Sequence, residues 1–503
     1  MAPSQQRIIS YRVGTTDEIQ TIAHDLSATT LEAFWASIAF MLAVVIVQPV
    51  YTSISNVFGR LAPLYVAFCF FMIGSIVFAI SIDMGVLITG RVLQGIGAGG
   101  LDVLNEIILA DITTLKERPM YLGMMAIPVA GGTILGPIIG GLLSQYATWR
   151  WVGWINLPVS AVGLVLVIFF LKLQALKASV RQKLRRLDWT GLIFFTGGCT
   201  LVALPVAWAG ALFPWSSWKT ILPLCLGVLL LVGFSWYETK PEEPVFPYRI
   251  FKHRTAAVSL FGALLHGLVA YSIVFYAPLF FQAVFLDDPL QSAVSTLPLA
   301  CCSVAFGVIG AVAVEVIRKY RLIILASWVF AAVGMGLLTL WDRDASRAAK
   351  ASFQIILGIG TGNLFSVLNL PMQASVPHVD DMGLAAGTLI SFRLFGALIG
   401  LSMCSTVFTS VFSMEIGSLG PLPDSIAVLY DAQHALESIP LLRQSEISSE
   451  ALDVIIKAYM SSMYAVFWML AGVSLVGFLS SFLIKEISLE KEELGRQQFD
   501  VGQ

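Results

Sequence analysis

Ionisable side chains set inside long apolar runs are the residues of this sequence best placed to do chemistry. The run 85–110 holds Arg91, Asp102, Asn105 and Glu106. A guanidinium at the centre of a bilayer costs ~2.5–3.5 kcal/mol even on a lenient insertion scale, so Arg91 must face a cavity or a partner. At ~100° per residue, eleven positions return Asp102 to within ~20° of Arg91, with Asn105 at ~-40° and Glu106 at ~60°. One helix face then carries a cation, two carboxyl groups and an amide. Such a set can take up and release a proton beside a fixed charge, and neutralising that charge changes which conformer is favoured. The plainer alternative, in which Arg91 snorkels and the acids pair with neighbouring helices, stays open. Arg393 is a second cation inside an apolar run, 384–412, and His266 opens HGLVAYSIVFYAPLFFQ (266–282). A lone His is more often a hydrogen-bonded packing residue than a proton carrier, so Asn105, His266 and Arg393 are read as lining for a small-molecule cavity.

Two glycine patterns accompany these groups. GIGAGG (95–100) fits the G-x-G-x-x-G expression, but it lies inside an apolar run with no preceding strand, which argues for close helix packing instead of dinucleotide binding. GGTILGPIIGG (131–141) sets Gly132, Gly136 and Gly140 four apart with Pro137 among them. Gly at every fourth residue makes a smooth groove for another helix, and Pro bends the axis. Static packing is an equally simple reading of that motif.

Other chemistry lacks its residues. The five His and six Cys are scattered, with no C-x-x-C or H-E-x-x-H spacing, so neither a metal site nor a cofactor is expected. No nucleophile–base set can be assembled, so an enzyme is not expected either. A formal net charge of -2 without long blocks of like charge gives no footing for nucleic acid.

The elements that must position the ionisable groups follow from composition. Of 503 residues, 57% are hydrophobic and 12% charged, against ~25% charged in soluble domains. That apolar excess has to face a lipid bilayer. A span needs ~20 apolar residues as a helix, and thirteen such runs are present: 32–57, 63–82, 85–110, 120–143, 152–172, 189–211, 219–237, 256–283, 292–314, 322–341, 353–376, 384–412 and 461–484. The fold class is therefore an all-α polytopic membrane protein. Connections rich in Lys and Arg fall on alternate sides. One side collects Arg60, Lys116, Arg118, the 172–186 linker, Arg249, Lys252, Arg318 and Lys485, which makes it cytoplasmic. Eight tryptophans, Trp149, Trp151, Trp154, Trp189, Trp215, Trp218, Trp236 and Trp341, mark span ends at the headgroup level. The polar start of the chain has no apolar h-region and does not read as a signal peptide. The segment SEALDVIIKAYM (449–460) reads as an interfacial helix.

An internal repeat organises the spans. GIGAGGLDVL (95–104) is echoed by GIGTGNLFSV (358–367), and GPIIG (136–140) by GALIG (396–400). Duplicated helix bundles with a site between them are the mark of secondary transporters. The second copy has three spans ahead of its glycine-rich span, the first only two. The expected organisation is a polar segment 1–31, a five-span bundle 32–172, a basic linker 173–188, an inserted helix pair 189–237 and a second linker 238–255. A six-helix bundle 256–484 with a non-cytoplasmic loop 413–460 and a tail 485–503 complete the chain.

In combination, GRVLQGIGAGG (90–100), KERPMYLG (116–123), the glycine–proline motif and WRWVGWINLP (149–158) resemble the major facilitator superfamily. More narrowly they resemble its fourteen-span drug:proton antiporter group in the fungal efflux-pump form, with the first transmembrane helix missing. The resemblance implies the major facilitator fold and links Arg91 to proton coupling. It makes Gly132, Gly136, Pro137 and Gly140 the antiporter motif of an exporter. It also sets a cytoplasmic gate at TSISNVFGRL (52–61), of which Gly59 and Arg60 keep the family pattern while Asn56 stands where an Asp is usual; Asp111 is the candidate partner of Arg60. The expected function is proton-coupled efflux of an amphiphilic toxin, drug or secondary metabolite. The expected site is the cell (plasma) membrane, with the vacuolar membrane as the other candidate. An importer of basic amino acids or siderophores, and a non-transporting product of an incomplete gene, are the alternatives.

Overall fold

A computed structural model describes residues 25–26, 30–174, 182, 185, 187–209, 213–241, 245–246, 248–378, 381–418, 429–430, 432, 435, 438–444 and 449–490. Most of the polar segment 1–31, much of the 173–188 linker, most of the 413–460 loop and the end of the tail fall outside these residues.

The described chain is helical throughout. In order it forms α1 (Thr30–Phe58), α2 (Leu61–Ala79), α3 (Met84–Ile112), α4 (Arg118–Tyr146), α5 (Trp151–Trp154), α6 (Asn156–Phe170), α7 (Trp189–Trp208) and α8 (Trp218–Tyr237). It continues with α9 (Arg254–Val284), α10 (Pro289–Ser295), α11 (Leu297–Ile317), α12 (Arg321–Leu338), α13 (Arg347–Val367), α14 (Asn369–Ala374), α15 (Met382–Gly417), α16 (Ile439–Gln444) and α17 (Ser449–Ser481). Among the described residues, twelve helical spans are long and apolar enough to cross a membrane, α5 with α6 and α13 with α14 each forming one span. The 29-residue α4 is the thirteenth long helix.

Local chemistry sets the boundaries. Asp83 accepts from the Val86 amide at 2.9 Å to open α3, and Asp188 accepts from Gly191 at 2.8 Å to open α7. Gly59, at φ 92°, ends α1 in a left-handed turn and hands the chain to Arg60. Each of the thirteen expected runs contains a long helix. The last differs in extent: α17 starts at Ser449, so SEALDVIIKAYM forms its first turns and not a separate interfacial helix. The reason is burial, since Ile455, Ile456 and Tyr459 are covered and the Tyr459 ring packs on Phe412 at 4.7 Å. Tryptophans also divide. Trp151, Trp189, Trp215, Trp218 and Trp236 are exposed at helix ends, whereas Trp149 and Trp341 are buried in protein and not at a headgroup surface.

The glycine-rich echoes mark equivalent packing. A Cβ on Gly95 or Gly99 would meet the Phe40 or Val44 carbonyl of α1, and one on Gly97 the Phe71 amide of α2. In the second copy, Gly358 and Gly362 meet α11 at Leu299 and Ser303, and Gly360 meets α12 at Ser327 and Ala331. Thus α3 sits on α1 and α2 as α13 sits on α11 and α12. The seams between halves follow the same symmetry, with α1 packing on α15 and α4 on α11. The α7–α8 pair lies beside the first seam: Ser402 of α15 donates to the Val206 carbonyl, and Leu42, Ala203 and Leu398 share a cluster.

Candidate functional site

The ionisable groups gather where α1, α3, α9 and α15 meet. Asp102 projects from α3 into accessible space although it lies mid-helix, as does Asn105 one turn on. The Gln48 amide of α1, itself buried, donates to Asp102 Oδ2 at 2.8 Å. Glu106 is buried one turn beyond Asp102, and its Oε2 has no hydrogen-bond partner among the described residues.

The charge facing these acids comes from the other half. Arg393 of α15 interacts electrostatically with Tyr271, Glu106 and Asp102, yet no ion pair within 4.0 Å joins it to either acid among the described residues. Its Nη2 donates to the Phe365 carbonyl at 2.8 Å and its guanidinium stands 4.5 Å from the Phe365 ring centroid. The α9 backbone approaches closely here, since a Cβ on Gly267 would lie 1.7 Å from the Arg393 carbonyl oxygen. His266, its neighbour, is buried, with Nε2 3.0 Å from the Thr361 carbonyl and Nδ1 unpartnered among the described residues. Gln48 Oε1, Glu106 Oε2, His266 Nδ1 and Arg393 Nε are all buried without hydrogen-bond partners among the described residues. Buried polar groups are normally satisfied, so this concentration sets the cluster apart from the packed apolar core around it.

Arg91 lies apart from this cluster. It shares the helix face of Asp102, but eleven residues at 1.5 Å each separate them by about 16 Å along the axis. Its guanidinium stands 4.3 Å from the Phe78 ring centroid and donates to Gln94 Oε1 at 3.2 Å, and Gln94 in turn donates to Ser75 at 3.0 Å. Arg91 therefore ties α3 to α2.

The basic end of the molecule is closed by a second set of contacts. Arg60 donates to Asp111 and Ser55 at 2.8 Å and to Asn56 at 2.7 Å, with both charged side chains under 5% exposed. The start of α15 lies on this cluster: a Cβ on Gly383 would be 3.4 Å from both Arg60 Nη2 and Asp111 Oδ1. Arg118 crosses between the halves. Its buried guanidinium donates to the Ala110 and Thr113 carbonyls within its own half, and to Gln373 Oε1 at 2.7 Å and Met382 Sδ at 3.3 Å in the other. Arg318 returns the tie to the Lys116 carbonyl at 2.6 Å, and Arg249 grips Asp381 with two 2.6 Å bonds just before α15.

Gly132 and Gly136 lie on the exposed side of α4 with nothing within 4 Å of a would-be Cβ, and Pro137 and Gly140 continue the same helix. Sequence reasoning missed Gln48, Tyr271, Phe365, Arg118 and Gln373. Only Arg118 carried a signal, as a basic residue directly before the Pro that opens α4. No cluster of three or more metal-ligating side chains occurs among the described residues.

Known proteins resemble this chain in sequence and in fold. The sequence profile described as Major Facilitator Superfamily matches residues 18–401. The chain is 44% identical over 485 residues to "MFS-type transporter sphD" of Aspergillus fumigatus, covering 96% of this chain and 84% of the relative. It is 34% identical over 480 residues to "MFS-type efflux pump MMF1" of Pseudozyma antarctica, covering 94% and 86%. To "Efflux pump FUS6" of Gibberella moniliformis it is 32% identical over 485 residues, covering 94% and 84%. Among solved structures, the proton:xylose symporter XylE superposes with a TM-score of 0.56 over 96% of this chain and 95% of that one at 11% identity, which speaks for the fold alone. Profile, relatives and fold agree that this multi-pass membrane transporter belongs to the major facilitator superfamily.

Proposed function

We propose that the protein exports an amphiphilic small molecule, of the toxin, drug or secondary-metabolite kind, in exchange for protons by alternating access. Asp102 and Glu106 carry the proton, and Arg393 is the counter-charge that senses their state. The observation behind this reading is the placement of two carboxyl groups of one half opposite a buried guanidinium of the other, with unsatisfied hydrogen-bonding atoms between. Protonation of either acid weakens its attraction to Arg393 and so alters the balance between the two ways the halves can meet. Arg91, linked to proton coupling by family resemblance, contributes by holding α2 to α3. The Arg60–Asp111 pair with Asn56, and the Arg118 crossing, form the cytoplasmic gate, because the basic end faces the cytoplasm by its charge. The names of the relatives as efflux pumps support the outward direction. The cell membrane is the proposed location.

Asp102→Asn and Glu106→Gln variants, matched for expression, decide the matter in inside-out vesicles bearing a pH gradient. Accumulation of the compound should become independent of the gradient in at least one variant. Gradient-driven accumulation equal to wild type in both, or uptake of the opposite orientation, would overturn the reading.

A further inference from the structure

Beyond α17, and beyond the residues 18–401 that the family profile matches, the chain runs back across the basic end. Its first part is tied down within the second half. Arg254 of α9 donates to the Leu483 carbonyl at 3.2 Å, Arg321 of α12 to that of Phe482 at 3.0 Å, and the Lys485 amide donates to Thr255 Oγ1 at 3.2 Å. The Glu486 carboxylate accepts from the Tyr320 and Arg321 amides at 2.9 and 3.1 Å, where the first N–H groups of α12 and its dipole favour an anion. Tyr320 is fully buried; its hydroxyl donates to the Lys485 carbonyl at 2.8 Å and accepts from the Ile487 amide at 2.7 Å.

The next residues reach the first half. Leu489 is buried in one apolar cluster with Leu115 and Leu122 of the first half and Tyr320 and Ile484 of the second. The Glu490 carboxylate lies 3.9 Å from Lys116 Nζ of the first half and 3.6 Å from Arg318 Nε of the second. Arg318 also bonds the Lys116 carbonyl, so Glu490 braces a contact that already joins the halves. The Ser488 hydroxyl accepts from the Glu490 amide at 3.2 Å and holds the turn that aims this carboxylate. Half-exposed ion pairs are individually weak, so burial of Leu489 is the larger contribution.

We propose that residues 484–490 form a strap, anchored on the second half and latched on the first, that holds the basic end closed. Its two parts respond differently when the halves separate. The anchor contacts all lie within one half and survive. The Glu490–Lys116 pair, and the place of Leu489 in a cluster drawn from both halves, exist only while the end is closed. The strap therefore stabilises the closed form alone and sets how readily the end opens. It rests on the alternating-access reading only in that the basic end must open at all.

Two measurements on the full-length protein in lipid test the strap. A zero-length carbodiimide, which condenses a carboxylate with an amine in contact with it, should yield a peptide cross-linked between Lys116 and Glu490. Spin labels at Lys172 and Lys252, exposed residues of the two halves at the basic end, report opening by electron–electron resonance in a chain whose six cysteines are replaced. In Leu489→Ser/Glu490→Gln the ratio of open to closed form should rise about tenfold. Tyr320→Phe, which loosens the anchor without touching the residues that reach the first half, should move the ratio the same way. Absence of the cross-link in wild type, or unchanged distances in either variant, would overturn the inference. Both readouts use neither a pH gradient nor a substrate, so the strap and the proton coupling at Asp102 and Glu106 can each fail without the other.

Discussion

Replacing Gln373 by Leu removes one bond between the halves and leaves the rest of the latch standing. Arg118 is about 1% exposed and donates to three acceptors of its own half, Ala110 O, Thr113 O and Thr113 Oγ1, so it keeps its place when the Gln373 acceptor is lost. The lost contact is a 2.7 Å charge-assisted hydrogen bond across the seam. Such bonds contribute about 1.5–3 kcal/mol. Because the bond exists only while the basic end is closed, its full value enters the equilibrium between closed and open forms, a shift of roughly 10- to 150-fold toward the open form. Spin labels at Glu117 and Lys319, exposed residues on the two halves, report that equilibrium by electron–electron resonance in a chain whose six cysteines are replaced. Gln373→Leu should add a longer-distance population, and Gln373→Glu, which gives Arg118 an ionic partner, should suppress it. Unchanged distances in both variants, or a shift of the same sign, would refute the assignment of Arg118 as the inter-half latch.

Three further outcomes are expected. Asp111→Asn removes the carboxylate that pairs with the buried Arg60 guanidinium and should destabilise the protein by about 3–5 kcal/mol, with part recovered in the Arg60→Gln/Asp111→Asn double variant, as thermal unfolding would show. Burial, with the nearby Asp188 carboxylate, pushes the Glu238 carboxyl up to about 7, well above the ~4.3 of an unfolded chain. The proton it takes up on folding stabilises the linker that bonds Glu238 through the Phe246 amide; that stability is fully present below pH ~4.3 and lost as pH rises through about 7. The protection factor of the Phe246 amide, which corrects for base-catalysed exchange, should fall along this course and lose its pH dependence in Glu238→Gln. Gly267→Ala sets a methyl 1.7 Å from the Arg393 carbonyl oxygen and should cost about 1–3 kcal/mol or more in thermal stability while displacing Arg393.

The long helices were legible because apolar runs of membrane length admit little else, and the repeat was legible because close packing demands glycine: Gly95, Gly97 and Gly99 meet α1 and α2 as Gly358, Gly360 and Gly362 meet α11 and α12. The polar stripe of α3 could likewise be read from its angular spacing. Spacing along the axis was the weaker guide, since a shared face does not bring Arg91 and Asp102 within reach of one another. The cation proposed as counter-charge, Arg393, stands some 290 positions later, a juxtaposition set by how two bundles meet and invisible to local periodicity. Arg118 was hidden for a related reason. Among the linker cations only the fold shows which ones turn inward, and Arg118 does so where Gln373 and Met382 lie opposite the start of α4. The end of the chain misled for a physical reason as well: the amphipathic pattern of 449–460 suits an interface, but its apolar face is covered by α15.

The claim that Asp102 and Glu106 carry the proton is tested most directly by infrared difference spectroscopy of the purified protein in lipid, titrated with acid and with no substrate present. The carbonyl stretch of a protonated carboxyl buried in an apolar setting should grow on acidification in wild type and be lost from the Asp102→Asn/Glu106→Gln double variant. The same band, undiminished in the double variant, would contradict the account.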